Sequence, residues 1–85
     1  MLFRSALHQR RTGDLKSAEI NLRQALGYKA EGETYLLLAI VQDEMKRPQD
    51  AKETLAVLLK QEPDNAGAKQ LLASIGQPVA ATEEK

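Results

Sequence analysis

The densest apolar stretch of the chain is Tyr35-Leu36-Leu37-Leu38-Ala39-Ile40-Val41, which lies inside a longer segment from Glu31 to Asn65. A helix that is apolar nearly all round its circumference must be covered on more than one side, so this run predicts a helix held between neighbours. The helix is expected to end near Met45 or Lys46. The turn Lys46-Arg47-Pro48 and a second amphipathic stretch from Gln49 to Gln61 follow it, closed by Glu62-Pro63-Asp64-Asn65. Together they read as a helical hairpin.

The same alternation recurs on either side. Leu2, Phe3, Ala6 and Leu7 fall at helical spacing in the segment from Met1 to Thr12, and Gly13 stands where a helix ends in the left-handed conformation. A chain that starts inside a helix with no cap is expected to be a piece of something longer, the alternative being a first repeat that lacks its own covering element. Asp14 is the expected N-cap of a second helix, Leu15 to Leu26, whose Leu15, Ala18, Leu22, Ala25 and Leu26 form one stripe and which Gly27 is expected to close. Pro48 suits the first turn of the fourth helix, where its missing N–H costs nothing, and Asp50 suits the positive end of the dipole. Ala51, Leu55, Leu58 and Leu59 make its inner face. Pro63 stops it, Asp64 or Asn65 caps a fifth helix, and Ala66 to Ile75 supplies Ala68, Leu71, Leu72 and Ile75 before Gly76. Residues 77–85 have little to bury and are expected to be a mobile tail.

Shifting the chain on itself by 33 residues lays Ala6 on Ala39, Gln9 on Gln42, Ala18 on Ala51, Leu22 on Leu55 and Leu26 on Leu59, with Gly13-Asp14-Leu15 over Lys46-Arg47-Pro48. A period of that size with two helices per unit predicts a helical solenoid. Ala18 and Ala51 are small because two helices cross there at roughly 8–10 Å. The competing arrangement, an antiparallel helix bundle, would require the register to be accidental. Gly32 to Asn65 is 34 residues long, with Tyr35 leading, then Leu38-Ala39, Ala51, Leu55 and a closing Pro63.

In these positions the chain resembles the tetratricopeptide repeat family, over about residues 2 to 75. Departures are Leu58 for the second Ala and Lys46 for the usual turn Gly, and in the first unit Leu2 for the aromatic, Ser5 for the Leu and Ala30 for the Pro. The resemblance implies an all-α fold, a right-handed α-α superhelix of two helix-turn-helix repeats, about 1–31 and 32–65, plus a C-terminal capping helix at about 66–75. It also implies a protein-protein interaction module, a scaffold or adaptor that takes a partner peptide or helix in a concave groove lined by the first helix of each pair. By alignment that groove holds Phe3, Leu7, Arg10 and Arg11 from the first unit, Glu33, Leu36, Ile40, Asp43 and Glu44 from the second, and Gln70 and Ser74 from the cap. Apolar side chains flanked by charge suit an amphipathic helix or an apolar extended peptide. The alternative is a homodimer or larger assembly in which another copy of the chain fills the groove. Some family members clamp a peptide carboxylate with Lys, Asn and Arg at groove positions. Here Phe3, Leu7, Leu36 and Ile40 stand at them, so no clamp of that kind is expected.

Composition narrows the function classes further. The aromatics are Phe3, Tyr28 and Tyr35, and Trp is absent, so Leu, Ile, Val and Ala must build the core. Formal charge is zero, which removes the broad attraction that nucleic-acid binders use, and Arg4, Arg10, Arg11, Lys16 and Arg23 lack interleaved aromatics. No nucleic-acid partner is expected. The charge is nonetheless uneven: residues 1–30 carry six Lys or Arg against two acids, a net +4, and residues 31–85 six against ten, a net −4. No cysteine is present, which leaves the compartment undetermined. No apolar run approaches the ~20 residues of a membrane span. His8 is the only histidine and has no ligating residue three or four positions away on its helix, so a metal is not expected. Asp43 and Glu44 are adjacent and diverge on a helix, unlike an acid/base pair converging on one atom. Neither a phosphate-cradling glycine loop nor a nucleophile with its base is visible, so no enzyme activity and no cofactor are expected.

Overall fold

A computed structural model describes the backbone of residues 2–76 and the side chains of residues 4–75. Five helices follow in order: α1 Leu2–Thr12, α2 Leu15–Tyr28, α3 Gly32–Glu44, α4 Pro48–Gln61 and α5 Ala66–Gly76. The side chains of Leu2 and Phe3, and the tail expected over 77–85, lie outside the described residues.

Local chemistry sets most of the boundaries. Asp14 caps α2 by accepting a hydrogen bond from the Ser17 amide at 3.3 Å. Pro48 opens α4 with Asp50 in its first turn. Of the two candidates for capping α5, Asn65 does so, its Oδ1 accepting from the Ala68 amide at 2.9 Å. Gly27 does not close α2, contrary to expectation. A helical glycine costs about 1 kcal/mol relative to alanine but leaves the hydrogen-bond ladder intact. The helix runs on to Tyr28 and stops where Lys29 becomes extended at φ −157°, its amide still donating to the Ala25 carbonyl.

Each helix packs on the next in sequence, α1 on α2 and so on to α5, and α5 also touches α3. The apolar run of α3 is the wall between two cores. Leu37, Leu38 and Val41 face back and join Ala6, Ala18 and Leu22. Ala39 faces forward and joins Ala51, Leu55, Leu58 and Ala68, with Tyr35, Leu36, Leu71, Leu72 and Ile75 around them. Burial follows the repeat: Ala6 and Ala39, Ala18 and Ala51, Leu22 and Leu55 are all 0% exposed. The small residues at 18 and 51 therefore sit inside the hairpin crossings, and the two hairpins lie side by side in the same sense.

Polar geometry repeats as well. The Asn21 side-chain amide donates to Gln9 Oε1 at 2.7 Å in the first hairpin, and the Thr54 hydroxyl donates to Gln42 Oε1 at 2.6 Å in the second, the same pair of positions one period on. Both turns are closed alike. Gly13 and Asp14 donate backwards to the Arg10 and Gln9 carbonyls, and Lys46 and Arg47 to those of Asp43 and Gln42. Such a turn needs a left-handed residue at its first position, and Gly13 (φ 93°) and Lys46 (φ 67°) supply it. For a side-chain-bearing residue this conformation is strained. Lys46→Gly is therefore expected to raise stability by about 0.5–1 kcal/mol, the relief being offset in part by a freer unfolded chain. Urea denaturation would read this as a higher midpoint at constant slope, and a lower midpoint would contradict it.

Candidate protein-binding groove

α1, α3 and α5 are the helices expected to line the groove. Leu7 on α1 is 39% exposed and belongs to neither core. On α3, Leu36 and Ile40 are half-buried, their outer surfaces forming one side of a hollow of about 360 Å³. Gly67, Gln70 and Leu71 of α5 form the other side. Gly67 keeps the wall close, since a Cβ there would lie 3.4 Å from a Leu36 methyl. The hollow is largely apolar, with Gln70 its one polar side chain. Ser74, expected beside it, is exposed but does not line it.

The charged residues of the expected groove divide into a fixed pair and exposed singles. Arg10 reaches from the last turn of α1 to Glu44 in the last turn of α3, with Nε to Oε1 at 2.8 Å and Nη2 to Oε2 at 2.7 Å. The Glu44 hydrogen bond holds the Arg10 guanidinium above its ordinary pKa. The pair is bidentate, yet both side chains are 38% exposed, so its contribution to stability is at most about 1 kcal/mol. Arg11, Glu33 and Asp43 are exposed and form no ion pair among the described residues. Phe3 falls outside the described side chains. His8 is exposed, and no group of three metal-ligating side chains forms among the described residues.

A polar centre that the sequence reading did not anticipate lies between the hairpins. Glu19 on α2 is 7% exposed, and its Oε2 accepts from Gln42 Nε2 at 3.2 Å, Arg47 Nη2 at 2.8 Å and Arg23 Nη2 at 3.1 Å. Arg47 also donates to Asp50 through Nε at 2.8 Å. Glu19 follows Ala18, and Gln42 ends the apolar run of α3, so each sits beside a core position. That adjacency was the available signal, but pairing across 23 residues is not visible without the fold. Burial pushes the Glu19 carboxyl up. Hydrogen bonds from Gln42 and Arg23, with the fields of Arg47 and Arg23, outweigh burial and hold it below the ordinary carboxylate value.

A carboxyl lowered on folding stabilises the native state above its unfolded pKa, and the contribution fades as pH falls below about 4.5 toward the folded value. Glu19→Ala is expected to cost about 1–3 kcal/mol at neutral pH, because the buried Gln42 amide loses an acceptor. Urea midpoints at pH 7 and pH 3.5 would check both points: the variant should lose less stability between them than the intact chain, and an equal loss would exclude Glu19 as a source of acid sensitivity.

Among the described residues no helix is long and apolar enough to cross a membrane. A family model described as tetratricopeptide repeat matches residues 9–75. Nothing matches the chain among curated proteins or among solved structures.

Proposed function

Given that the chain belongs to the tetratricopeptide repeat family, whose repeats generally mediate protein-protein interaction, we propose that it is a scaffold or adaptor module. Its partner is an amphipathic helix or an apolar extended segment, seated in the groove of α1, α3 and α5. The observation that carries this reading is the hollow between Leu36, Ile40 and Leu71, with Leu7 39% exposed on α1. The groove set is Leu7, Arg10, Arg11, Glu33, Leu36, Ile40, Asp43 and Glu44, with Phe3 at its α1 end. Arg10 is already bound to Glu44, so apolar contact supplies the seat, and the exposed Arg11, Glu33 and Asp43 are the charges left to pair with the occupant.

The end surfaces also support the groove as the sticky region. Positions on α1 equivalent to Leu37, Leu38 and Val41, which cover α2 from the other side, are Arg4, Ser5 and His8, all exposed and polar. On α5 the outward Lys69, Gln70 and Ser74 are exposed and polar too. A second reading, in which another copy fills the groove, draws on the opposite net charges of residues 1–30 and 31–85. Light scattering across concentration separates the two, since a monomer at high concentration excludes the second.

The direct test is an affinity pull-down with the intact chain beside a Leu36→Glu, Ile40→Glu pair and a Leu7→Glu variant. Burying one large aliphatic side chain contributes about 1.5–3 kcal/mol. A captured partner should therefore bind each variant at least about tenfold more weakly, while Leu7→Glu, at a leucine 39% exposed, loses on the order of 1 kcal/mol of stability and keeps a cooperative circular-dichroism melt. Retention of the partner by all variants would exclude the groove.

A further inference from the structure

The side of the molecule opposite the groove holds a second cavity, of about 230 Å³, between α2 and α4 with α3 as its floor. Its volume equals about eight waters at the ~30 Å³ each occupies in the liquid, and lies below the ~300 Å³ at which small-molecule sites begin. It is the size of one long side chain. Leu38, 3% exposed, and the Tyr35 ring form the floor, while Leu26 of α2 and the 44%-exposed Val57 of α4 form facing walls. One part of the lining is thus apolar, and Gln42 and Thr54, which also line the cleft, are bonded to each other. The other part is charged, with Arg23 on the α2 side and Asp50 and Glu53 on the α4 side.

The charges there do not cancel. Around the cleft, two guanidiniums, Arg23 and Arg47, meet three carboxylates, Glu19, Asp50 and Glu53. Both arginines bind Glu19, and Arg47 binds Asp50 as well. Glu53 is left with no ion pair and no side-chain hydrogen bond among the described residues. An anion entering the cleft would meet Glu53 and Asp50, and a purely apolar group would leave the Glu53 carboxylate beside it without a partner. An aliphatic stem ending in a cation satisfies both halves of the lining at once.

We propose that this cleft is a socket for a lysine or arginine side chain of a partner protein, with its stem against Leu26, Leu38 and Val57 and its charged head at Glu53. The socket is independent of the groove. A failed groove leaves it standing, and the groove substitutions do not touch Glu53 or Val57.

The test uses the full chain, labelled at its methyl groups for NMR, and four small probes of matched length: n-butylammonium, n-propylguanidinium, 1-butanol and butyrate. The expected result is saturable shifts of the Leu26, Leu38 and Val57 methyls, with both cations binding at least about threefold tighter than 1-butanol, in the range of an exposed ion pair. Glu53→Gln, at an exposed position that leaves the fold intact, should erase that preference, whereas Asp64→Asn, at a carboxylate in the turn before α5, should keep it. Cations binding no tighter than 1-butanol, butyrate binding as tightly as the cations, or a preference that survives Glu53→Gln would each overturn the socket.

Discussion

A chain ended at Pro63 is expected to lose its cooperative thermal transition. α5 is the last cover on the forward core: Ala68 is fully buried there, and Leu71, Leu72 and Ile75 pack half-buried over Ala39, Leu55 and Leu58. Fully burying a large aliphatic side chain contributes about 1.5–3 kcal/mol, so three at half burial contribute on the order of 3–4 kcal/mol. The α4 residues that α5 covers would be bared at the same time. A domain of this size has only about 5–10 kcal/mol of net stability to begin with. Removal of residues 64–85 should therefore give a sloping circular-dichroism melt, dye binding to exposed apolar surface, and aggregation. Removal of residues 77–85 alone is the matching control, and an unchanged melting temperature in the longer deletion would show that α5 covers nothing of consequence.

The second large effect is expected at Leu22 and Leu55, which hold the same place in the two hairpins and are both 0% exposed. Leu→Ala at either leaves a cavity and should cost about 2–5 kcal/mol. Equal burial does not mean equal outcome. Leu22 contacts a core closed on its far side by α3, whereas Leu55 supports the seat of α5, so Leu55→Ala also loosens the cap. Leu55→Ala is accordingly expected to be the more damaging, with hydrogen exchange accelerated across α4 and α5 together. Leu22→Ala should spare α5 amides until global unfolding. Equal exchange profiles would mean that the stack unfolds as one unit from every starting point.

Much of the fold was readable because burial repeats. Ala18 and Ala51, Leu22 and Leu55, and the two turn positions at Gly13 and Lys46 obey one register, and that register is written in residue size. Helix ends were less readable where two signals competed. Gly27 carries the mark of a terminus, yet the helix passes it, because a glycine permits a left-handed turn without requiring one. Lys46 shows the converse: the turn forms at a residue that disfavours it, held by the same two backbone hydrogen bonds that Gly13 and Asp14 make. Of the residues that the alignment assigned to a groove, Leu36, Ile40 and Gln70 line one hollow, while Leu7 and Ser74 do not. Glu19 was not legible, since a charged residue next to an alanine reads as an outer face until three donors are seen to converge on it.

Those converging donors share an address with another tie. Glu19 with Gln42 and Arg47, and Arg10 with Glu44, all sit where the hairpins turn, near the ends of α1 and α3 and the starts of α2 and α4. At the opposite margin, around Tyr28 to Gly32, the only ion pair among the described residues is the local one between Lys29 and Glu31. The two units are thus joined at both margins by different means, side-chain ties where the hairpins turn and the peptide chain itself between Tyr28 and Gly32. The covalent margin is the hinge, so the stack should splay first at the hairpin turns, and only once the Arg10–Glu44 and Glu19–Arg47 ties let go.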